Sequence, residues 1–265
     1  MEKGGERVEK GSGVKITQKM NMNIYFYLFG FVCVFFGLMT GTSCYCFQDA
    51  TNRVKKEQWA LLTKYLVEKG IPREYISGHV DDDGFIMLSL SDSPLSDLNI
   101  LHGIPIRELT ISETHVTDLS PLSHCTTLRE LTMARLKIFD LSPLSHLPLE
   151  HLQISSTDVR DLSPITNMPL RLLWITNTAI TNLEIIAQTD ITHLVFSPNK
   201  YPKEQIEKLR SSKIEVFNAK DRDLFWQLWD KGIWSGQCTI EEIKQIFDEL
   251  GIDYSPRFPL RFEKD

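Results

Sequence analysis

The chain reads as an α/β solenoid, a right-handed coil of short repeats with a parallel sheet on one face and helical caps at both ends. Three observations predict it: a period of 21 or 22 residues through the middle of the sequence, the same apolar positions in every period, and flanking segments with helical periodicity. Segments beginning at Phe85, Ile106, Leu128, Leu149, Leu170 and Ile191 are spaced 21, 22, 21, 21 and 21 residues apart. Each opens on an apolar residue, with another three on and a third two beyond that: Ile106, Leu109, Ile111; Leu128, Leu131, Met133; Leu149, Leu152, Ile154; Leu170, Leu173, Ile175; Ile191, Leu194, Phe196. A unit this short cannot bury its apolar face alone, so it must stack on copies of itself.

Each repeated apolar column then becomes a ladder through the core. Leu98, Leu119, Leu141, Leu162 and Leu183 make one, and Leu101, Leu122, Leu144, Ile165 and Ile186 make a second. Cys125 falls in a column with Ile104, Leu147 and Met168 and reads as a small buried hydrophobe. In the Ser-Pro steps, Ser120, Ser142 and Ser163 are placed to cap a short helical turn, with Pro121, Pro143 and Pro164 at its first position, where no N–H is needed. Every repeat is thus one strand and one tight return.

Four copies share an aliphatic residue, at Val116, Ile138, Val159 and Ile180, and then DLSPL, DLSPL, DLSPI and a degenerate NLEII. From about Phe85 to Phe196 this pattern resembles the leucine-rich repeat, in the short form of bacterial internalin-like proteins. The resemblance implies a parallel sheet on a concave face that binds a protein or peptide. The sequence departs from that pattern where Asn is usual, carrying Thr114, Leu136, Thr157 and Thr178. Threonine can still hydrogen-bond the neighbouring backbone but leucine cannot, so the turn at Leu136 is expected to be loosened or repacked.

The N-terminal residues 1–43 read as an export signal or membrane anchor. Ile24 to Met39 carries no charge and follows Lys3, Arg7, Lys10, Lys15 and Lys19, with small residues at Gly41 and Ser43. Cleavage after Ser43 would leave Cys44 first, as in a lipoprotein, although Gly41 stands where an aliphatic residue is wanted. Uncleaved, Ile24 to Phe47 is long enough to span a bilayer, and the positive-inside rule puts the repeats on the far side, in a bacterial cell envelope. Met20 or Met22 would give a more usual signal. Beyond residue 43 the chain carries 24 basic and 32 acidic residues, a formal charge of −8. That excludes nucleic acid as the expected partner, since phosphate contacts need clustered cations.

The segments at 44–78 and 219–265 are expected to cap the repeats of 79–218. Asn52 to Gly70 is an amphipathic helix with Val54, Trp59, Leu62, Tyr65 and Leu66 on one face and Gly70 as its stop. Toward the other end, Lys203 to Ser211 is a short helix, and Ile214 to Phe217 fits a last strand with Asn218 behind it. Asp221 to Lys231 presents Leu224, Phe225, Leu228 and Trp229 on one side. A helix over Thr239 to Leu250 starts on a Thr239/Glu242 capping box and is ended by Gly251. The aromatics here read as cap core rather than a ligand cage.

Alternate strand residues point away from the core. They run Met87, Ser89, Ser91; Glu108, Thr110, Ser112; Glu130, Thr132, Ala134; His151, Gln153, Ser155; Leu172, Trp174, Thr176; His193, Val195, Ser197. Early turns offer acids and hydroxyls. The later ones gather His151, Gln153, Leu172, Trp174, Thr176, His193 and Val195, the expected partner-binding patch unless cap helices fold over it. Other chemistry is weaker. His124 and His146 share a phase but lack a third metal ligand, Asp81 to Gly84 reads as a tight turn rather than a calcium loop, and the five cysteines show no disulfide framework. No P-loop, nucleophile elbow or zinc-protease motif occurs. The expectation is therefore a monomeric interaction module with no cofactor, no metal and no catalytic residues. Its alternative is a tethered structural scaffold with no single ligand.

Overall fold

The computed structural model describes residues 44–218, 220–233 and 238–250. The apolar segment Ile24 to Met39 and the stop at Gly251 lie outside the described residues. The chain divides into two compact units, Met1–Val54 and Lys55–Asp265. Of the first, the described part is the start of helix α1, which runs Cys44–Glu68 and so begins earlier than Asn52. No helix among the described residues is long and apolar enough to cross a membrane.

In the second unit, α1 buries Leu62 and Leu66, with Trp59 and Tyr65 packed partly buried beside them. Gly70, at φ +93°, ends the helix by letting the chain reverse so that Ile71 N–H reaches the Leu66 carbonyl. A single sheet follows in chain order: β1 (Ser77–Val80), β2 (Ile86–Ser89), β3 (Ile106–Thr110), β4 (Glu130–Thr132), β5 (His151–Gln153), β6 (Leu172–Trp174), β7 (His193–Val195), β8 (Val216–Phe217) and β9 (Lys220–Asp221). Strands β2 to β8 are mutually parallel, whereas β1 and β9 run antiparallel to their neighbours and close the two ends.

The β1–β2 turn is held by the Asp81 carboxylate, which accepts from the N–H of Asp83 and of Phe85 at 2.9 and 2.8 Å. Gly78 is required within β1, because a Cβ there would lie 1.9 Å from the Met87 carbonyl oxygen. One correction concerns Phe85. It does not begin the first repeat's core column; a bulge between Ile86 and Met87 puts Ile86 opposite Ile106 instead. Phe85 stays half-buried under the Arg107 guanidinium, 4.1 Å from its ring centre.

Both predicted ladders are present. Leu98, Leu119, Leu141, Leu162 and Leu183 are at most 2 % exposed, and Leu101, Leu122, Leu144, Ile165 and Ile186 are fully buried. A strand ladder of Leu88, Leu109, Leu131, Leu152, Leu173, Leu194 and Phe217 is set by the parallel register. The return segments are short 3₁₀ turns at Leu98–Leu101, Ser120–His124, Ser142–Leu144 and Ser163–Ile165, then the short helix α2 (Glu184–Ala187). Their caps are not the serine hydroxyls. The carboxylates of Asp118, Asp140 and Asp161 accept from the backbone N–H of Ser120, Ser142 and Ser163, each at 2.8 Å, and Asp97 and Asn182 do the same for Asn99 and Glu184. An acid two residues earlier reaches the free N–H more directly than the serine beside the proline can.

A further periodic feature links strand to return. Asp92, Glu113, Arg135, Ser156 and Asn177 all hold left-handed backbone, with φ between 51° and 59°. The first four of these donate their N–H to a carbonyl of the next repeat at 2.9–3.0 Å. Immediately after them, the hydroxyls of Ser93, Thr114, Thr157 and Thr178 donate back to the carbonyls of Leu90, Ile111, Ile154 and Ile175. Leu136 has no such bond and is instead 2 % exposed, so this turn is repacked with its backbone unchanged at Arg135.

At the C-terminal end, α3 (Lys203–Lys208) continues as a 3₁₀ turn to Ser211. Asn218, at φ 50°, accepts the Phe196 N–H on its side-chain oxygen at 2.9 Å and turns the chain into β9. Helix α4 (Arg222–Asp230) is capped by Asp221, and α5 (Ile240–Glu249) by the Thr239/Glu242 box. Phe225, Trp226 and Leu228 form the buried side of α4, so Trp226 takes the core place expected of Trp229, which is half-buried and donates to Glu207. Phe225 stacks on Phe217 with ring centres 4.6 Å apart, and Trp226 meets both rings edge-on.

Candidate partner-binding face

Register fixes which side chains stand together on the open sheet face. One row runs His79, Met87, Glu108, Glu130, His151, Leu172, His193 and Val216; the next runs Ser89, Thr110, Thr132, Gln153, Trp174 and Val195. The seven residues of the expected patch are thus brought together on strands β5, β6 and β7 and the turn after β6. Gln153 and Val195 flank Trp174 on either side, and His151 and His193 flank Leu172.

Trp174 is 37 % exposed, so the cap helices do not cover it. Its indole N–H donates to the Thr176 hydroxyl at 3.0 Å, and that hydroxyl in turn donates to Ser155 at 2.9 Å. The chain fixes the ring's polar edge and leaves its apolar surface free, a pre-set orientation that lowers the ordering cost of a contact. Leu172, Val195 and Gln153 are half-buried around it. His193 is exposed, with Nδ1 2.9 Å from the Thr192 hydroxyl. Ser155 is the exception in the outward set: it is buried, because it serves this hydrogen-bonded chain.

The other half of the face is charged. His151 Nδ1 lies 2.9 Å from Glu130 Oε1. Burial, and after it the neighbouring Glu130 carboxylate, raise the Glu108 carboxyl above its ordinary value. His79 heads this row without having been anticipated from sequence. It sits on the antiparallel β1, outside the repeat, where no column points to it.

Elsewhere the structure redirects one reading. The ring that His124 meets is that of His102, edge-on at 6.2 Å, rather than that of His146. Among the described residues no three His, Cys, Asp or Glu side chains converge on a metal-sized site. Cys125 is buried, and burial pushes its thiol up. A shallow groove of about 550 Å³ lies along the turn edge between Arg135 and Lys200, lined by Ser156, Asn177 and Thr178 rather than by the seven patch residues.

No family model matches the chain. Over 66 residues, 24 % of this chain, it is 33 % identical to leucine-rich repeat-containing protein 23 of Bos taurus. A repeat of 21 to 22 residues, one parallel strand to each and an unbroken leucine ladder agree with that match. The chain folds as a leucine-rich repeat solenoid. Its match spans 19 % of the bovine relative's length. Among solved structures, internalin C2 of Listeria monocytogenes is similar to this leucine-rich repeat protein at 25 % identity and a TM-score of 0.40, over 48 % of this chain and 58 % of the other. Internalin F of the same organism is similar at 21 % identity and a TM-score of 0.38, over 51 % of each.

Proposed function

We propose that this leucine-rich repeat protein is an interaction module that binds a protein or peptide on its sheet face, with His151, Gln153, Leu172, Trp174, Thr176, His193 and Val195 as the contact patch. The observation that carries the reading is Trp174: a 37 % exposed indole, oriented by its own hydrogen bond, beside the half-buried Leu172 and Val195. Aromatic anchors ringed by polar groups dominate binding energy at interfaces. The module works without catalytic residues or a cofactor, as a monomer, and outside the cytoplasm of a bacterial cell. The basic then apolar N-terminal sequence supports that location and supplies the membrane contact.

The test is affinity capture from native envelope with the full chain and with a Leu172→Asp, Trp174→Ala variant of unchanged circular dichroism. A partner held by the wild type and released by the variant is the expected result. Equal capture by both would instead favour a tethered scaffold, for which the anchor matters and Trp174 does not.

A further inference from the structure

The sheet face carries an uncompensated charge next to its apolar patch. Glu108 and Glu130 are direct register neighbours on β3 and β4, on strands about 4.8 Å apart. Like charges placed opposite one another in this way weaken a sheet. The cations nearest in sequence are engaged elsewhere. Arg107 reaches Asp81 and Asp83 at 2.7 and 3.1 Å, and Arg129 approaches Glu150 at 4.0 Å. Among the described residues no Lys or Arg pairs with Glu108 or Glu130, and the one partner that Glu130 has is His151. The half-buried Glu108, facing Glu130, His79, His151 and Asp81, is left without a fixed counter-charge.

Leu172 follows two strands along the same row, about 10 Å from Glu130, and Trp174 lies in the adjoining row three strands from Glu108, about 14 Å on. The two features are therefore close enough for one short segment to span.

Resting on the reading of this face as a binding surface, we infer that the partner presents a Lys or Arg over the Glu108–Glu130 pair and a large apolar side chain against Trp174, Leu172 and Val195. In an extended segment, with a rise of about 3.3 Å per residue, three to four positions separate the two. The cation supplies the counter-charge that the fold withholds, and the apolar side chain covers the indole. Each half alone would be a weak site, and their fixed separation gives the specificity.

The test is selection of a random dodecamer peptide library on the full chain. Enriched peptides are synthesised and titrated by fluorescence anisotropy against the wild type, Glu108→Gln/Glu130→Gln and Leu172→Asp/Trp174→Ala. Each variant is first shown to unfold cooperatively in urea. The expected peptides carry Lys or Arg three to four positions from Trp, Phe or Leu, and lose about tenfold or more in affinity on either variant. Peptides that depend on Trp174 yet bind the Gln variant within about twofold would overturn the charge inference and leave the binding face standing. Peptides indifferent to both variants, or a library with no enrichment, would overturn both.

Discussion

Replacing Phe225 by Ala tests whether the C-terminal helices are part of the solenoid core or an appendage. Phe225 is 1 % exposed, stacks on Phe217 at 4.6 Å, meets Trp226 at 5.1 Å and lies 6.1 Å from Phe196. Removing a fully buried ring costs about 3–5 kcal/mol through lost transfer energy and the cavity left behind. The stacked pair places Phe225 toward the upper end of that range. A matched control exists on the same molecule: Phe139 is 72 % exposed, and its truncation is expected to change stability by less than about 0.5 kcal/mol. Urea unfolding of the full chain, followed by far-ultraviolet circular dichroism, gives both values under one condition. A cost for Phe225→Ala within about 1 kcal/mol of that for Phe139→Ala would show that α4 does not share the core, and the account of the cap would be wrong.

Two further outcomes are expected. Gly78→Ala should destabilise the N-terminal hairpin by about 2 kcal/mol or more, because the new Cβ meets the Met87 carbonyl at 1.9 Å, whereas Gly84→Ala meets nothing within 4 Å and pays only for its φ of +85°; thermal unfolding of both variants checks the ranking. Asp118, Asp140 and Asp161 are held below the ordinary aspartate value by hydrogen bonds from the serine two residues after each. Groups lowered on folding stabilise at pH values above the unfolded carboxylate range and lose that contribution as pH falls through their folded values. Melting temperatures taken from pH 7 down to about 2.5 should therefore drop more steeply for the wild type below about pH 4 than for a triple Asp→Asn variant, which keeps the acceptor as Asn182 does. Parallel curves would refute this.

The parts of the fold legible in the sequence were those where one chemical property must recur. Burial demands aliphatic side chains at Leu119, Leu141 and Leu162, so the ladder is written as identity. The left-handed turn is not, since its column reads Asp92, Glu113, Arg135, Ser156 and Asn177. Backbone geometry there goes with the strand before it and the N–H bond to the next repeat, which Arg135 keeps although Leu136 after it has no hydroxyl, and almost any exposed side chain is tolerated. Capping was misassigned for a related reason: Asp118 and Ser120 are both capping types, and only their distance to the free N–H decides between them. Phe85 and His79 were misread or missed because they belong to the antiparallel end, where repeat arithmetic no longer applies. On the open sheet face, alternation placed Leu172, Trp174 and Val195 correctly, while the orientation of the indole depends on a Thr176–Ser155 contact between turns that no single repeat encodes.

The reversals of strand direction at β1 and β9 have a consequence for how such a gene can change. Every internal repeat offers its successor the same edge, so a duplication of one 21-residue unit would insert one more strand and one more rung in each ladder without altering either terminus. Copy number is then free to drift by whole units. The terminators hold the ends constant while a unit gained or lost between β3 and β6 moves Glu108 and Trp174 apart or together by one strand spacing, which on the proposed reading of this face changes the reach of the partner that fits it.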